Sequence, residues 1–290
     1  MPVRRVWVEV SRGHLLAEVS GPEGDDAAVA LLLHGFPQLS SCWSGVLPLL
    51  HGAGVRTVVV DQRGFAPTAR PTGLADYRLP ELVADAIAVL DVEGGPAPLL
   101  IGHDWGAVVG WAVAAAVPER LRALIALSIP HPAAFQRALD TDPDQQARSS
   151  YLAVFRRAGR PEALLSEDGG RRLRAMFAGA QMTTTSIEEY VTPFLLDPGM
   201  LTGALNWYRA IDAPDLAAVG ECAAPATYLC GDADTAVGPA AIAGCADYVT
   251  GPFEGIILPG IGHWIPDQTP AAVAEAVLRR LAAEDESVRE

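Results

Sequence analysis

The chain has 290 residues, half of them hydrophobic, and its 35 acidic side chains outnumber 21 basic ones for a formal net charge of −14. That length holds one large α/β domain with an insertion and a sizeable core, and the acidic balance excludes nucleic acid as an expected partner. Mean hydropathy is +0.22, yet no uninterrupted apolar run reaches the roughly 18 residues of a membrane span, so no membrane partner is expected. The opening Met1 to Val10 alternates like a strand and lacks the apolar segment and cleavage site of a signal peptide, which predicts a cytoplasmic protein. Cys42, Cys222, Cys230 and Cys245 are scattered, without CxxC pairs or histidines at metal-ligand spacing, and read as buried fillers. No metal is expected.

Three strands come first, Val3 to Val10, His14 to Val19 and Ala28 to Leu33, with the turn Gly21 to Asp26 between the last two. His34-Gly35-Phe36-Pro37-Gln38 leaves the third strand, and the Phe36 N–H there could serve an oxyanion hole, with Phe36–Pro37 a candidate cis bond. A helix around Cys42 to His51, strand Thr57 to Val60, helix Pro80 to Leu90, strand Pro98 to Ile101, helix Trp105 to Ala116 and strand Leu121 to Leu127 then alternate. Such a βαβα series implies a mostly parallel sheet covered on both faces, with ligands gathered at the carboxyl ends of its strands.

Gly102-His103-Asp104-Trp105-Gly106 joins a buried strand to a helix in the frame of a nucleophile elbow, with aspartate where serine is usual. Free N–H groups and the helix dipole at that point favour an anion and should lower the pKa of Asp104. A carboxylate is already ionised at neutral pH and attacks carbon directly, whereas serine needs a base. A capping aspartate in a tight turn is the competing reading of so short a motif. Ser128, at a strand end, lacks the elbow context that a serine esterase would need.

The α/β rhythm stops after Pro130-His131-Pro132. From about Ala133 to about Pro214 no buried strand is predicted; Tyr151 to Arg157, Arg171 to Phe177, Ile187 to Phe194 and Leu201 to Ile211 read as helices of an inserted cap. The expected division is a core of residues 1–132 and 215–290 and a cap of 133–214. The core pattern resumes with strand Ala226 to Cys230, helix Pro239 to Ala246, strand Gly255 to Leu258, helix Pro270 to Ala283 and a charged tail, Glu284 to Glu290, expected to fray.

A carboxylate that attacks carbon leaves an ester, and turnover needs a base to activate water. His263, in the Gly/Pro-rich loop Pro259 to Pro266 directly after a predicted core strand, is the best candidate. Gly231-Asp232-Ala233-Asp234 ends the preceding strand; Asp234 reaches further into its loop and is the expected orienting acid, with Asp232 a turn former. The N–H of Trp105 joins that of Phe36 in the expected oxyanion hole.

HGFPQ, DQRGFAPTARP, GHDWGA, GDADTAV and GIGHW occur in one order along nearly the whole chain, and in this the sequence resembles an α/β-hydrolase of the epoxide hydrolase and haloalkane dehalogenase branch. The turn Asp61 to Phe65 resembles the family's D-x-R-G-x-G but has Ala66 for the last glycine, and reads as structural. The resemblance implies an eight-stranded α/β-hydrolase sheet with a helical lid and no cofactor. An opening epoxide needs proton donors opposite the nucleophile, and a phenol of pKa about 10 can supply one. Tyr151-Leu152-Ala153-Val154-Phe155 and Leu205-Asn206-Trp207-Tyr208-Arg209 resemble the lid segments that carry the two tyrosines of epoxide hydrolases, with Tyr190 a competitor for Tyr151. Phe36, Trp105, Phe155 and Trp207 are the expected substrate-binding residues. The implied partners are a small, apolar or moderately polar epoxide and water, and the chain could pair as a homodimer. Dehalogenation with the same Asp-His-Asp triad ranks second, since Phe36 stands where a dehalogenase often has asparagine. A non-catalytic ligand-binding protein ranks last, because every triad member is present.

Overall fold

Continuous apolar runs form the centre of the sheet, and alternating runs form the edge built from the start of the chain. The computed structural model describes residues 2–24 and 27–287. Its strands are β1 (Arg4–Val10), β2 (Gly13–Ser20), β3 (Ala28–Leu33), β4 (Val55–Val60), β5 (Leu99–His103), β6 (Ala123–Leu127), β7 (Ala226–Gly231) and β8 (Phe253–Leu258). They make one eight-stranded sheet of order β1-β2-β4-β3-β5-β6-β7-β8, in which β2 runs antiparallel to both neighbours and the remaining pairs are parallel. Every residue of β5, β6 and β7 is buried. The strand order reverses between β3 and β5, whose ends stand level with Leu33 opposite Gly102. A crevice therefore opens beyond those two strands, where the chain leaves into His34–Gln38 and Asp104–Gly106.

The expected elements are present with shifted limits. The segment expected as one helix over Cys42 to His51 is a 3-10 turn, Ser40–Trp43, and a helix, Leu47–Gly52; Pro48 has no N–H to carry a helix forward from Ser44 and suits the first turn of a new one. The strand before His263 is an edge strand rather than a core strand, and Ile257 on it is 61 % exposed. The last helix, Pro270–Ser287, runs on into the expected tail, of which residues 288–290 lie outside the described residues, as do Asp25 and Asp26 of the expected turn.

Between β6 and β7 the described chain is helical without a strand. Pro132–Thr141 and Pro143–Arg148 were not anticipated, although Pro and the N-cap acceptors His131 and Asp142 start them. Only Leu152–Phe155 of the expected helix from Tyr151 is α-helical. Arg160–Ala175 is interrupted where Asp168, Gly169 and Gly170 turn left-handed, so the reading that began at Arg171 captured its second half. The helices Thr184–Leu196 and Pro198–Ala210 complete the segment, with Ala213–Ala217 closing it through an Asp212–Asp215 capping box.

This helical segment is fastened across the carboxyl ends of the strands. Trp207 Nε1–H donates to the Arg63 carbonyl at 2.8 Å, Tyr190 donates to Asp267 at 2.8 Å, Arg70 pairs with Asp197 at 2.9 Å, and Trp264 donates to the Met176 carbonyl at 3.2 Å. Arg63 is itself buried, its guanidinium gripping Asp85 through Nε at 2.6 Å and a terminal nitrogen at 2.5 Å while donating to the Asp76 carbonyl at 2.6 Å. The Asp61–Phe65 turn is thus held by a bidentate pair and in turn holds the helix above it.

Asp85→Ala removes the bidentate partner of the buried Arg63 charge and leaves only the longer contact to Glu81, at 3.5 Å. It is expected to lower the unfolding free energy in urea by about 3–5 kcal/mol, and the double change Arg63→Met with Asp85→Leu by clearly less.

Candidate active site

Asp104 follows the last residue of β5 and precedes the helix Trp105–Ala116, and the bend between them requires φ +53° and ψ −120°. Such a backbone is costly for a residue with a Cβ and persists only where its surroundings enforce it. The close approach depends on glycine. A Cβ at Gly106 would stand 2.0 Å from the Leu33 carbonyl oxygen, and one at Gly35 would stand 2.3 Å from Asp104 Oδ1. The Asp104 carbonyl caps the helix by accepting from Ala107 and Val108, which turns the carboxylate out over the crevice.

The Phe36 N–H donates to Asp104 Oδ1 at 2.8 Å, and the neighbouring Trp105 N–H adds to the pull on the ionised carboxylate. Phe36–Pro37 is cis. Asp104 Oδ2 lies 3.5 Å from His263 Nε2. On the other side of the ring, His263 Nδ1 is 2.9 Å from Asp234 Oδ2. A carboxylate only accepts, so Nδ1 carries a proton there. Asp234 is fixed by the N–H groups of Ala236 and Val237 on Oδ1, at 2.7 and 3.2 Å. Asp232 instead accepts from the Gly260 N–H at 2.6 Å, within the turn.

The structure thus brings Asp104, His263 and Asp234 together, and their charges are interdependent. Burial alone would lower the pKa of His263, but the carboxylates of Asp234 and Asp104 outweigh it and raise the imidazole to about 10. Burial alone would raise both aspartates, and the imidazolium together with backbone donors holds each below the usual carboxylate range. In this state the site is an imidazolium between two carboxylates.

Two residues given no part in the site by the sequence hold the histidine: Ser128, set aside above as a nucleophile, and His103. The His263 carbonyl accepts from Ser128 Oγ at 2.6 Å, from His103 Nε2 at 2.9 Å and from the Ile265 N–H at 3.0 Å. Ser128 is fully buried, has φ +67°, and accepts from the Tyr228 hydroxyl at 2.7 Å through its own carbonyl. Burial, followed by the charge of His263, lowers His103 to about 4, so its ring is neutral at pH 7 and donates through Nε2. Ser128 carries no local motif; its place at the end of β6, beside β5, was the available signal.

Tyr151, Tyr208 and Asp104 line one cavity of about 260 Å³ together with His263, Phe36 and Phe155. They border as well a smaller lobe of about 40 Å³ walled by Trp105, Val108 and Phe135. The rings of Tyr208 and Trp105 meet edge to face at 5.0 Å, and Tyr151 and Tyr208 lie 6.3 Å apart. Burial, then the charge of Asp104, pushes both phenols above their usual pKa, so both keep their protons at neutral pH. Tyr190 is not in this cavity; it stacks on Phe177 and donates to Asp267. Nor does Trp207 line either lobe. One residue from Tyr208 is about 100° round a helix, and that turns Trp207 toward Phe65 and the Arg63 carbonyl. Among the described residues no group of three or more His, Cys, Asp or Glu is placed to hold a metal ion, and no described helix is long and apolar enough to cross a membrane.

Residues 29–270 match the model of the alpha/beta hydrolase fold family. The chain is 30% identical to epoxide hydrolase A of Mycobacterium tuberculosis over 88% of its own length and 90% of that protein's. Its structure is similar to that of epoxide hydrolase A from Mycobacterium thermoresistibile, with TM-score 0.82, 28% identity and coverage of 97% and 98% of the two chains. It is similar also to an epoxide hydrolase of Bacillus megaterium solved with an inhibitor, with TM-score 0.84, 25% identity and coverage of 96% and 100%.

The pKa of His263 in the folded chain, about 10, lies above its ordinary value of 6.5. The stability this supplies is complete below pH about 6.5 and is lost as pH rises through about 10. His263→Gln is therefore expected to be less stable than the wild type by about 3–5 kcal/mol at pH 7. Thermal unfolding followed from pH 7 to 10 should show that gap closing.

Proposed function

Because the chain belongs to the alpha/beta hydrolase family, we propose that it is an epoxide hydrolase whose catalytic groups are Asp104, His263, Asp234, Tyr151 and Tyr208. The observation that carries this reading is the cavity in which an ionised carboxylate faces two protonated phenols. Residues 133–214 act as the cap and residues 1–132 and 215–290 as the core, so the substrate is held between a nucleophile from one and proton donors from the other.

Asp104 Oδ1 is already taken by the Phe36 N–H, which leaves Oδ2 to attack. It forms a bond to one epoxide carbon while that carbon's bond to oxygen breaks, and a tyrosine proton passes to the developing alkoxide. The product of this step is an alkyl ester on Asp104. Esterification removes one of the two carboxylate charges that favour the imidazolium, so His263 gives up its extra proton more readily and can serve as a base. That proton restores the tyrosinate to a phenol, and the neutral ring then takes a proton from water, whose oxygen attacks the Asp104 carboxyl carbon. The negative charge of that tetrahedral intermediate falls on Oδ1, where the Phe36 amide waits, with the neighbouring Trp105 amide as the second donor of this reading. On collapse the ring passes its proton to the departing alkoxide and regains one from the new carboxylic acid, which releases a vicinal diol and returns the carboxylate. Trp105, Phe36 and Phe155 shape the apolar walls around the reacting carbons.

Intact-protein mass spectrometry on epoxide and haloalkane panels tests the proposal. His263→Ala is expected to accumulate an adduct equal in mass to the added epoxide, and Asp104→Asn to form none. Adducts from haloalkanes alone would assign the dehalogenase reaction, and normal turnover by Asp104→Asn, with deamidation of the new residue excluded, would sink both. Tyr151→Phe with Tyr208→Phe should slow ring opening by about 10²–10⁴-fold while leaving hydrolysis of a preformed ester the faster step.

A further inference from the structure

The smaller lobe has apolar walls except for the reacting groups and one cation, Arg156, whose side chain reaches from the lobe to the surface. Its Nε donates to the Tyr208 carbonyl at 3.3 Å, and no acidic side chain lies within 4.0 Å of it among the described residues. Arg157 and Arg160, both exposed, likewise have no acidic partner within that distance among the described residues. The other arginines around the site are committed. Arg148, at the larger cavity, pairs with Asp144 at 2.8 Å and donates to the Asp234 carbonyl at 2.7 Å, while Arg209 pairs with Glu162 at 2.8 Å and Arg174 with Glu188 at 2.5 Å.

In a chain of net charge −14, Arg156 is a guanidinium at the lobe without an acidic partner among the described residues, and Arg157 and Arg160, exposed and likewise without one, follow it closely in the chain. A guanidinium without an acidic partner favours an anion, and its planar fork matches a carboxylate in two parallel hydrogen bonds. The apolar wall between Arg156 and Asp104 would cover a short aliphatic chain.

We propose that the substrate is an epoxide joined by a short aliphatic chain to a carboxylate, with the carboxylate held by Arg156 at the mouth of the smaller lobe. This rests on the epoxide hydrolase reading and adds the substrate's charge and orientation to it. Arg157 and Arg160 raise the local concentration of such a substrate, a rate effect that salt weakens. The same placement keeps the negatively charged end away from Asp104, which must attack carbon without repulsion from a second anion.

The test compares a short ω-epoxy alkanoate with its methyl ester by kcat/KM. The wild type should favour the carboxylate by about tenfold at low ionic strength, and added salt should narrow the ratio. Arg156→Gln should bring the ratio close to one, and Arg156→Lys should keep part of it. A wild-type ratio near or below one, or a ratio unmoved in Arg156→Gln, would overturn the assignment. Calorimetry of hexanoate and 1-hexanol, which need no epoxide chemistry, reads the anion site by itself in the wild type and in Arg156→Gln. Weaker hexanoate binding in Arg156→Gln supports the site even if no epoxide forms an ester on Asp104, a failure belonging to the reaction assignment alone. Equal hexanoate binding by the two proteins overturns the site.

Discussion

An imidazolium placed between two buried carboxylates organises this molecule. Asp104 and Asp234 are 8 % and 3 % exposed, and each would be costly as a lone buried anion. His263 offsets both, and its raised pKa is the same energy seen from the other partner. The geometry leaves little freedom: a loop from β8 must deliver a ring whose two nitrogens meet acids carried by β5 and β7. The convergence of Ser128, His103 and the Ile265 N–H on the His263 carbonyl supplies that restraint from the backbone side. Strain at Asp104 and Ser128, both at positive φ, is concentrated where these groups must meet.

The helical segment between β6 and β7 completes the site by placing phenols over the carboxylate. It is tied down through polar contacts to loops of the sheet's carboxyl edge, so the depth of the cavity depends on residues far from Asp104 and the two phenols. Arg63 joins the two levels, with its side chain buried on Asp85 and its carbonyl accepting from Trp207. The network of Tyr190, Asp267 and Gln38 makes a second tie, running from the helix Thr184–Leu196 to the loop that carries Phe36. These contacts position Tyr208 indirectly. On one helix, Trp207 anchors to the core loop and Tyr208 thereby turns into the cavity.

Local chemistry made the core and the three charged residues legible. Asp104 stands in a glycine frame between an apolar strand and a helix, and Asp234 and His263 each stand in a turn just beyond a strand, so the parallel sheet had to bring all three to one edge. Of the two aspartates in that loop, Asp234, the one further in, reaches the ring, and Asp232 stays within the turn. The helical segment was read less well. Its helices are short, start at proline and break at Asp168–Gly170, which blurs the periodicity that longer helices show. Trp207 was expected at the substrate because it is large and apolar, but helix phase rather than hydrophobicity decides which face it occupies.

Taken alone, the sequence determined the α/β order, the elbow and the order of acid and histidine, since these depend on residues within a few positions of one another. Tertiary structure alone decided that Tyr208 rather than Trp207 faces Asp104, that Tyr190 is bonded to Asp267 instead, and that Ser128 and His103 hold the His263 carbonyl. It alone also decided which arginines remain uncompensated. Such properties depend on the distance and phase between segments remote in the chain, and hydrogen bonds and ion pairs fall off over a few ångströms that no local pattern encodes.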